Sequence, residues 1–134
     1  MPEKDYSHRA LIDKLNVKPG ARVATLGITD ETFLASLIER TPDHTIGKCR
    51  KDCDVILLGV GDVAGLGAIE KCRTCLKPAG GLWVVYPKGR KDITEAQVME
   101  AGLAAGLVDN KVASFSATLT ALRFVIRVAD RAKP

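Results

Sequence analysis

The sequence DVILLGV at residues 54–60 decides the fold, because its side chains are almost all apolar. A strand that alternates apolar and polar residues is wet on one face, whereas a strand without polar positions is covered on both faces. A predicted helix follows through Lys77, then a predicted turn, PAGG, at residues 78–81 and a second apolar run, LWVVY, at residues 82–86. Two buried strands joined by a helix predict a βαβ unit, the seed of a parallel sheet with helices on both faces.

The remaining elements are predicted from helical spacing, alternation and local capping signals. The capping-box spacing of Thr94 and Gln97 begins a helix that Gly106 ends. The other expected elements are a helix over 8–15, a strand over 21–26, a helix after Asp30, a short strand over 44–48, and strands over 108–115 and 119–128. The last two strands are joined by a short link, which predicts a hairpin. The fold class predicted for this single domain, residues 1–134, is α/β: a truncated, mostly parallel, Rossmann-like sheet with helices on both faces and a C-terminal antiparallel hairpin.

The composition fits one globular domain and narrows its partners. The chain has 134 residues, of which 46% are hydrophobic and 27% charged, enough for a single core. Aromatic residues make up only 4%, which argues against nucleic acid, while the net charge of +4 favours an anionic partner. No apolar run approaches the roughly 18 residues that span a bilayer, and the charged start lacks a signal region. We therefore expect no membrane partner and a cytoplasmic protein, whose four cysteines are thiols or metal ligands.

The central stretch also carries a family resemblance. The strand that begins with Asp54, the helix after it and LKPAGGLWV at residues 76–84 resemble the second half of a class I S-adenosylmethionine-dependent methyltransferase. In those enzymes an Asp-initiated strand is followed by a helix and an LKPGG-L turn, and an antiparallel hairpin closes the sheet. More narrowly, the chain resembles a group of short, uncharacterised bacterial proteins that look like shortened methyltransferase domains. That likeness is carried by YS at residues 6–7, KLN at 14–16, KPGARV at 18–23 and YPK at 86–88.

Three features depart from the methyltransferase pattern. The cofactor loop of those enzymes has several glycines after the first strand, whereas here Gly27 is followed by the β-branched Ile28 and Thr29. The acidic residue that binds the ribose hydroxyls has no counterpart in HTIGK at residues 44–48. Only about a dozen residues lie between the helix after Asp30 and Cys53. Two strand–helix units would normally occupy this interval. The resemblance therefore implies the fold and leaves S-adenosylmethionine as a candidate cofactor, with much of the adenosine pocket absent.

A candidate ligand site follows from the predicted topology. Open α/β sheets bind ligands beyond the carboxyl ends of their strands, which here are the loops 27–30, 59–62, 86–91 and 115–118. The predicted ligand is a small anion, such as a nucleotide or phosphate. Its candidate binding residues are Gly27, Thr29, Asp30, Gly61, Asp62, Lys88 and Arg90. The alternative is that the basic loop is a solvated surface and the two aspartates are plain helix caps.

The four cysteines form a second candidate site. Cys49 and Cys53 flank the start of the apolar strand, and Cys72 and Cys75 lie late in the helix that packs back along it. Because that helix runs antiparallel to the strand, all four thiols are expected at the end of the sheet opposite the ligand loops. The C-x3-C and C-x2-C spacings are close to those of structural zinc sites. The alternative is that the cysteines pack as small hydrophobic side chains.

Three functions are consistent with these features. The first is a non-catalytic binding or regulatory protein with a degenerate methyltransferase-like fold, which holds a small anion at the strand ends. The second is an S-adenosylmethionine-dependent methyltransferase with an atypical cofactor pocket. The third is an interaction module that forms a homodimer through an uncovered sheet edge. No Ser-His-Asp or Cys-His arrangement is legible, so no catalytic residue is assigned.

Overall fold

The computed structural model describes residues 11–131, which contain a six-stranded sheet flanked by helices. The elements in chain order are β1 (Val23–Leu26), α1 (Glu31–Arg40), β2 (His44–Ile46), β3 (Cys53–Gly59), a 3₁₀ helix (Val63–Ala68), α2 (Ile69–Thr74), β4 (Leu76–Pro87), α3 (Glu95–Ala104), β5 (Leu107–Ser114), β6 (Leu119–Ile126) and a second 3₁₀ helix (Val128–Asp130). The strand order is β2-β1-β3-β4-β6-β5. Strands β1 to β4 are parallel, and β6 is antiparallel to both of its neighbours.

This architecture confirms the predicted fold class, including the C-terminal hairpin. Residues 11–14 are helical, while the predicted beginning of that helix lies outside the described residues. The capping box of Thr94 and Gln97 is present, and Gly106 has the positive φ of +85° that favours glycine after a helix. None of the described helices has the length and apolarity needed to cross a membrane.

Strand β3 is covered on both faces, as its composition predicts. Ile56 and Leu58 belong to a core cluster that also contains side chains of the first 3₁₀ helix, α2 and α3. Val55 and Leu57 belong to a second cluster, with α1 and residues 11–17. The sheet therefore lies between two helical layers, and β3 contributes to both cores.

The buried Trp83 ties the N-terminal segment to the sheet. It lies in β4, directly opposite Leu57 of β3, and is fully buried. Its indole Nε1 donates a hydrogen bond to the Leu15 carbonyl oxygen at 3.0 Å. A buried indole N–H needs such a partner, so this bond fixes the segment that covers the second cluster.

Strand β4 begins earlier than the sequence predicts. The helix predicted through Lys77 ends at Thr74, and the predicted turn at residues 78–81 is part of β4. The reason is tertiary: Leu76 already pairs with Cys53 at the start of β3. The ladder is irregular just after this pair, and irregular positions are where a strand tolerates proline.

The last strand is shorter than predicted. Strand β6 ends at Ile126, which pairs with Leu107 at the start of β5. Val128, predicted to continue the buried alternation, lies in a 3₁₀ helix and is 76% exposed. Beyond Leu107 the partner strand is over, so the ladder has nothing left to pair with.

Residues 47–52 connect β2 to β3 without a helix. Strand β2 pairs with β1, and the chain then passes to the other side of β1 to form β3. Cys49 in this crossover packs against the first core cluster, and Asp52 takes a φ of +62° as the chain turns into β3. Between α1 and β3 the chain therefore holds only one strand, of three residues.

Strand β2 forms one edge of the described sheet. Within residues 11–131 it has no strand on its outer side, and Ile46 is 53% exposed there. Three residues offer a short ladder to a second copy of the chain. Homodimerisation through this edge stays a prediction.

Asp54 fastens the start of β3 to the start of β1. Its Oδ2 accepts the backbone N–H of Arg22 at 2.8 Å, and its Oδ1 lies 3.0 Å from Lys77 Nζ. Burial alone would raise the pKa of Asp54, but these two partners outweigh it and hold the pKa below its usual value. A carboxyl group whose pKa falls on folding stabilises the protein above its unfolded pKa, and that stabilisation is lost as the pH falls through the folded pKa.

We predict that Asp54→Asn lowers the free energy of unfolding at pH 7 by about 1 kcal/mol, since the carboxylate is partly exposed and its pairing is screened. Urea denaturation measures the loss. The difference from the wild type should shrink below about pH 3.9, the unfolded value of an aspartate, because the wild-type carboxyl then takes up its proton. The exposed Glu39→Gln on α1 is the control and should change little. An equal deficit at neutral and acid pH would contradict this account of Asp54.

Candidate functional site

A cavity of about 250 Å³ opens at the carboxyl ends of β1, β3 and β4. Each of the four loops predicted from the sequence contributes to it. The lining residues are Gly27, Ile28, Thr29, Asp30, Gly59, Val60, Gly61, Val85, Pro87, Phe115, Ser116 and Leu119. Strands β1 and β3 are neighbours, but the chain turns towards β2 after β1 and, in the opposite direction, towards β4 after β3. This is the topological switch point at which open α/β sheets bind ligands.

Gly27 and Gly59 meet at this switch point. A Cβ built on either residue would lie 2.4 Å from the carbonyl oxygen of the other, so neither position has room for a side chain. Gly27 also takes a φ of +71°, which glycine adopts without strain. The one glycine after β1 therefore makes room for the neighbouring strand, whereas in the cofactor loop that the resemblance implies, glycines make room for a ligand.

The two residues after Gly27 differ in burial at the cavity. Ile28 is half-buried and packs against the second core cluster. Its Cδ1 would be 3.2 Å from a Cβ on Gly59, so the side chain lies beside the end of β3. Thr29 is exposed at the rim. Ile28 thus takes up part of the space in which a glycine loop would admit a cofactor.

The end of β2 offers no carboxylate for a ribose. Residues 44–48 contain no carboxylate, and the carboxylate just before them, on Asp43, pairs with two arginines. His44 Nε2 lies 3.0 Å from the hydroxyl oxygen of the buried Thr25. Burial lowers the pKa of His44, so its ring is neutral at pH 7 and serves the pairing of β1 with β2.

The predicted cations lie outside the cavity wall. Lys88 Nζ donates to Ser114 Oγ at 2.7 Å, and Arg90 forms an ion pair with Asp92, with Nε donating to Oδ1 at 2.9 Å. Asp62 caps the first 3₁₀ helix by accepting a backbone N–H at 3.3 Å. The predicted residues that line the cavity are Gly27, Thr29, Asp30 and Gly61; those that do not are Asp62, Lys88 and Arg90.

Apolar side chains of the wall were missed by the sequence reasoning. Val60 and Val85 lie at or near the ends of the central strands, whereas Phe115 and Leu119 come from the C-terminal hairpin, which is distant in sequence. Phe115 is buried and packs edge to face on Phe33 of α1, with ring centroids 4.9 Å apart. Its apolar position just before the hairpin link was the available signal, and only the sheet order brings it to this cavity.

The cysteines gather at the opposite end of the sheet, as predicted. Cys49 packs against the first core cluster, which contains Cys53, Cys72 and Cys75, and Cys53 Sγ donates a hydrogen bond to the Arg50 carbonyl oxygen at 3.0 Å. Among residues 11–131, however, no group of three or more His, Cys, Asp or Glu side chains is arranged to hold a metal ion. Zinc binding by the four cysteines stays a prediction.

The thiols of Cys49, Cys53 and Cys72 are protonated at neutral pH, because the pKa of each is raised. Burial, with Cys49 close by, raises the pKa of Cys72 to about 12. Burial also raises the pKa of Cys49 and of Cys53. Neutral thiols pack and donate weak hydrogen bonds, so in this state the cluster is part of the core.

Comparison with known proteins identifies the fold and nothing finer. No protein-family model and no curated protein sequence matches the chain. Among solved structures, a methyltransferase from Aquifex aeolicus, described as S-adenosylmethionine-dependent, matches with a TM-score of 0.70 and 12% identity over 90% of this chain and 89% of that one. A TehB-like S-adenosylmethionine-dependent methyltransferase from Corynebacterium glutamicum matches with a TM-score of 0.61 and 15% identity, over 93% of this chain and 90% of that one. An S-adenosylmethionine-dependent O-methyltransferase from Thermotoga maritima matches with a TM-score of 0.64 and 16% identity, over 100% of this chain and 69% of that one.

These matches show that the chain has a methyltransferase-like fold. The identities are far too low to carry an activity, a cofactor or a substrate across. The narrower likeness to short bacterial proteins stays a prediction. Three features oppose binding of the methyltransferase cofactor. Gly27 is packed against Gly59, the neighbouring Ile28 is half-buried, and the end of β2 carries no carboxylate for the ribose. The residues at these three points do not fit S-adenosylmethionine.

We predict that Gly59→Ala lowers the free energy of unfolding by about 2 kcal/mol, because the new methyl group collides with the backbone of Gly27. Urea denaturation measures the change. The matched control is Gly61→Ala, where a Cβ meets no atom within 4 Å, and it should be close to neutral. Equal effects of the two substitutions would contradict a close contact between the strand ends.

Proposed function

We propose that this chain is a non-catalytic small-molecule-binding domain with a methyltransferase-like fold. Its ligand is a small, uncharged and mainly apolar molecule, held at the carboxyl ends of β1 and β3. The observation that carries the proposal is the apolar-walled cavity at the topological switch point.

The wall supports an apolar ligand better than the anion expected from the sequence. Its apolar side chains come from three separate parts of the chain, on Ile28, Val60 and Phe115 among others. No Lys, Arg or His is among its described lining residues, and Asp30 is a carboxylate. A buried anion needs a paired charge, which this wall does not supply.

The volume sets an upper limit on the ligand. Pockets that hold drug-sized molecules measure roughly 300–1,000 Å³. A cavity of about 250 Å³ suits a smaller molecule, with the Thr29 and Ser116 hydroxyls at hand to orient a polar group. S-adenosylmethionine, an amino acid joined to a nucleoside, is of drug size, so this volume favours a smaller ligand.

A thermal-shift screen with small apolar compounds tests the proposal. A compound present at about ten times its Kd should raise the melting temperature by roughly 5 °C, because it binds only the folded state. Gly61→Leu should abolish the shift by filling the cavity, since this glycine lines it and has free space at its Cβ. Gly67→Leu is the matched control: its Cβ position is equally open but lies outside the cavity.

Two results would contradict the proposal. One is a screen in which no small apolar compound stabilises the protein. The other is stabilisation that survives Gly61→Leu unchanged, which would put the ligand elsewhere.

A methyltransferase with an atypical pocket is the second candidate, favoured by the TM-scores of 0.61 to 0.70 against methyltransferase structures. It requires the nucleoside part of the cofactor to bind over β2 by contacts other than a ribose carboxylate. S-adenosylhomocysteine in the same thermal-shift assay tests it. Stabilisation at millimolar concentration supports this candidate, and no stabilisation rejects it.

A further inference from the structure

A second opening, of about 380 Å³, lies at the amino ends of β1 and β3, at the opposite end of the sheet from the cavity. We call it the amino-end cleft. Its walls come from the loop before β1, the beginning of β3, the first part of β4 and Arg123 of β6. It shares no lining residue with the cavity at the switch point.

Arg123 is a half-buried cation without a partner. Its backbone pairs with Trp83 on one side and Lys111 on the other, so its side chain is the part that reaches the cleft. Within residues 11–131, its guanidinium makes no hydrogen bond and no ion pair. Burial lowers the pKa of Arg123, but an arginine keeps its charge at neutral pH. A partly desolvated charge of this kind gains from an anion that binds beside it.

Gly81 in β4 makes room for this guanidinium. A Cβ built on Gly81 would lie 2.5 Å from Arg123 Nε and 2.6 Å from its Nη2. The guanidinium therefore occupies the space that a side chain at residue 81 would take. Gly81 is thus a positioning residue for the cation.

Lys18 is the second cation of the amino-end cleft. It is exposed in the loop before β1, and within residues 11–131 its ammonium group has no ion pair. Asp54 also lines the cleft, but its Oδ2 accepts the Arg22 backbone N–H at 2.8 Å and its Oδ1 lies 3.0 Å from Lys77 Nζ. Because Lys77 offsets the charge of Asp54, the two lining cations give the cleft a net positive charge.

We propose that the amino-end cleft binds a small phosphate monoester, with Arg123 and Lys18 as its charged contacts. A phosphate group carries a charge of roughly −1.5 to −2 at pH 7, which two unpaired cations balance. The planar guanidinium can donate two parallel N–H groups to two phosphate oxygens, and the ammonium group supplies a point charge. A volume of about 380 Å³ leaves space for the organic part of the molecule. This site is independent of the proposed function.

Titration of the isotopically labelled chain with glycerol 3-phosphate tests the proposal. Two-dimensional amide spectra are recorded at constant ionic strength, and glycerol and sodium chloride serve as control additives. We expect saturable shifts of amides within residues 16–21, 54–55 and 79–81. Two charged contacts correspond to a Kd on the order of 1 mM.

Three variants separate geometry from charge. Arg123→Gln should raise the Kd about tenfold and Lys18→Gln about threefold, since the bidentate contact is the stronger one. Gly81→Ala should raise the Kd about threefold at unchanged charge, because its methyl group displaces the guanidinium. Lys18→Gln keeps the test valid if Arg123→Gln does not fold, since Lys18 is exposed.

Lys91→Gln is the matched control for Lys18→Gln. Lys91 is exposed and lies outside the cleft, so this change removes the same charge and should leave the Kd as it is.

Three results would overturn the proposal. One is the absence of saturable shifts up to about 20 mM glycerol 3-phosphate, where a site with a millimolar Kd is nearly full. Another is a set of shifts centred on the basic loop at residues 87–91. The third is equal weakening by Lys18→Gln and Lys91→Gln, which would reduce the binding to attraction by the net charge of the protein.

Discussion

The backbone contact between Gly27 and Gly59 is the constraint on which the rest of the site depends. It brings the ends of β1 and β3 together so closely that neither residue can carry a side chain. After these strands the chain leaves in opposite directions across the sheet, from β1 towards β2 and from β3 towards β4, which makes this position a topological switch point. The cavity lies where these two paths part, and both glycines line it.

The same contact distinguishes the loop after β1 from the glycine-rich cofactor loop that the sequence resemblance implies. The fold as a whole matches structures of methyltransferases. The glycine that could admit a cofactor is packed against Gly59, and Ile28 lies beside it. The chain between α1 and β3 is reduced to one short strand and a helix-free crossover. What remains is a framework with a small apolar cavity at one end and a thiol cluster at the other.

Local and periodic signals predicted the framework from the sequence. The apolar run of β3, the Asp30 cap and the capping box at Thr94 depend on neighbouring residues, so they could be read directly. The start of β4 could not, because the pairing of Leu76 with a distant strand overrides the local helical pattern. Lys88 lies outside the cavity for a similar reason, because its partner Ser114 comes from another part of the chain. The convergence of the cysteines could be predicted, because it follows from the direction of the helix.

The position at which a ligand binds is the most direct test of the central claim. Two-dimensional amide spectra of the isotopically labelled protein would be recorded during titration with a stabilising apolar compound. The account predicts that the shifted amides are those around the cavity, at residues 27–30, 59–61 and 115–119. Shifts centred on residues 44–48 at the end of β2, or on the thiol end of the sheet, would contradict it.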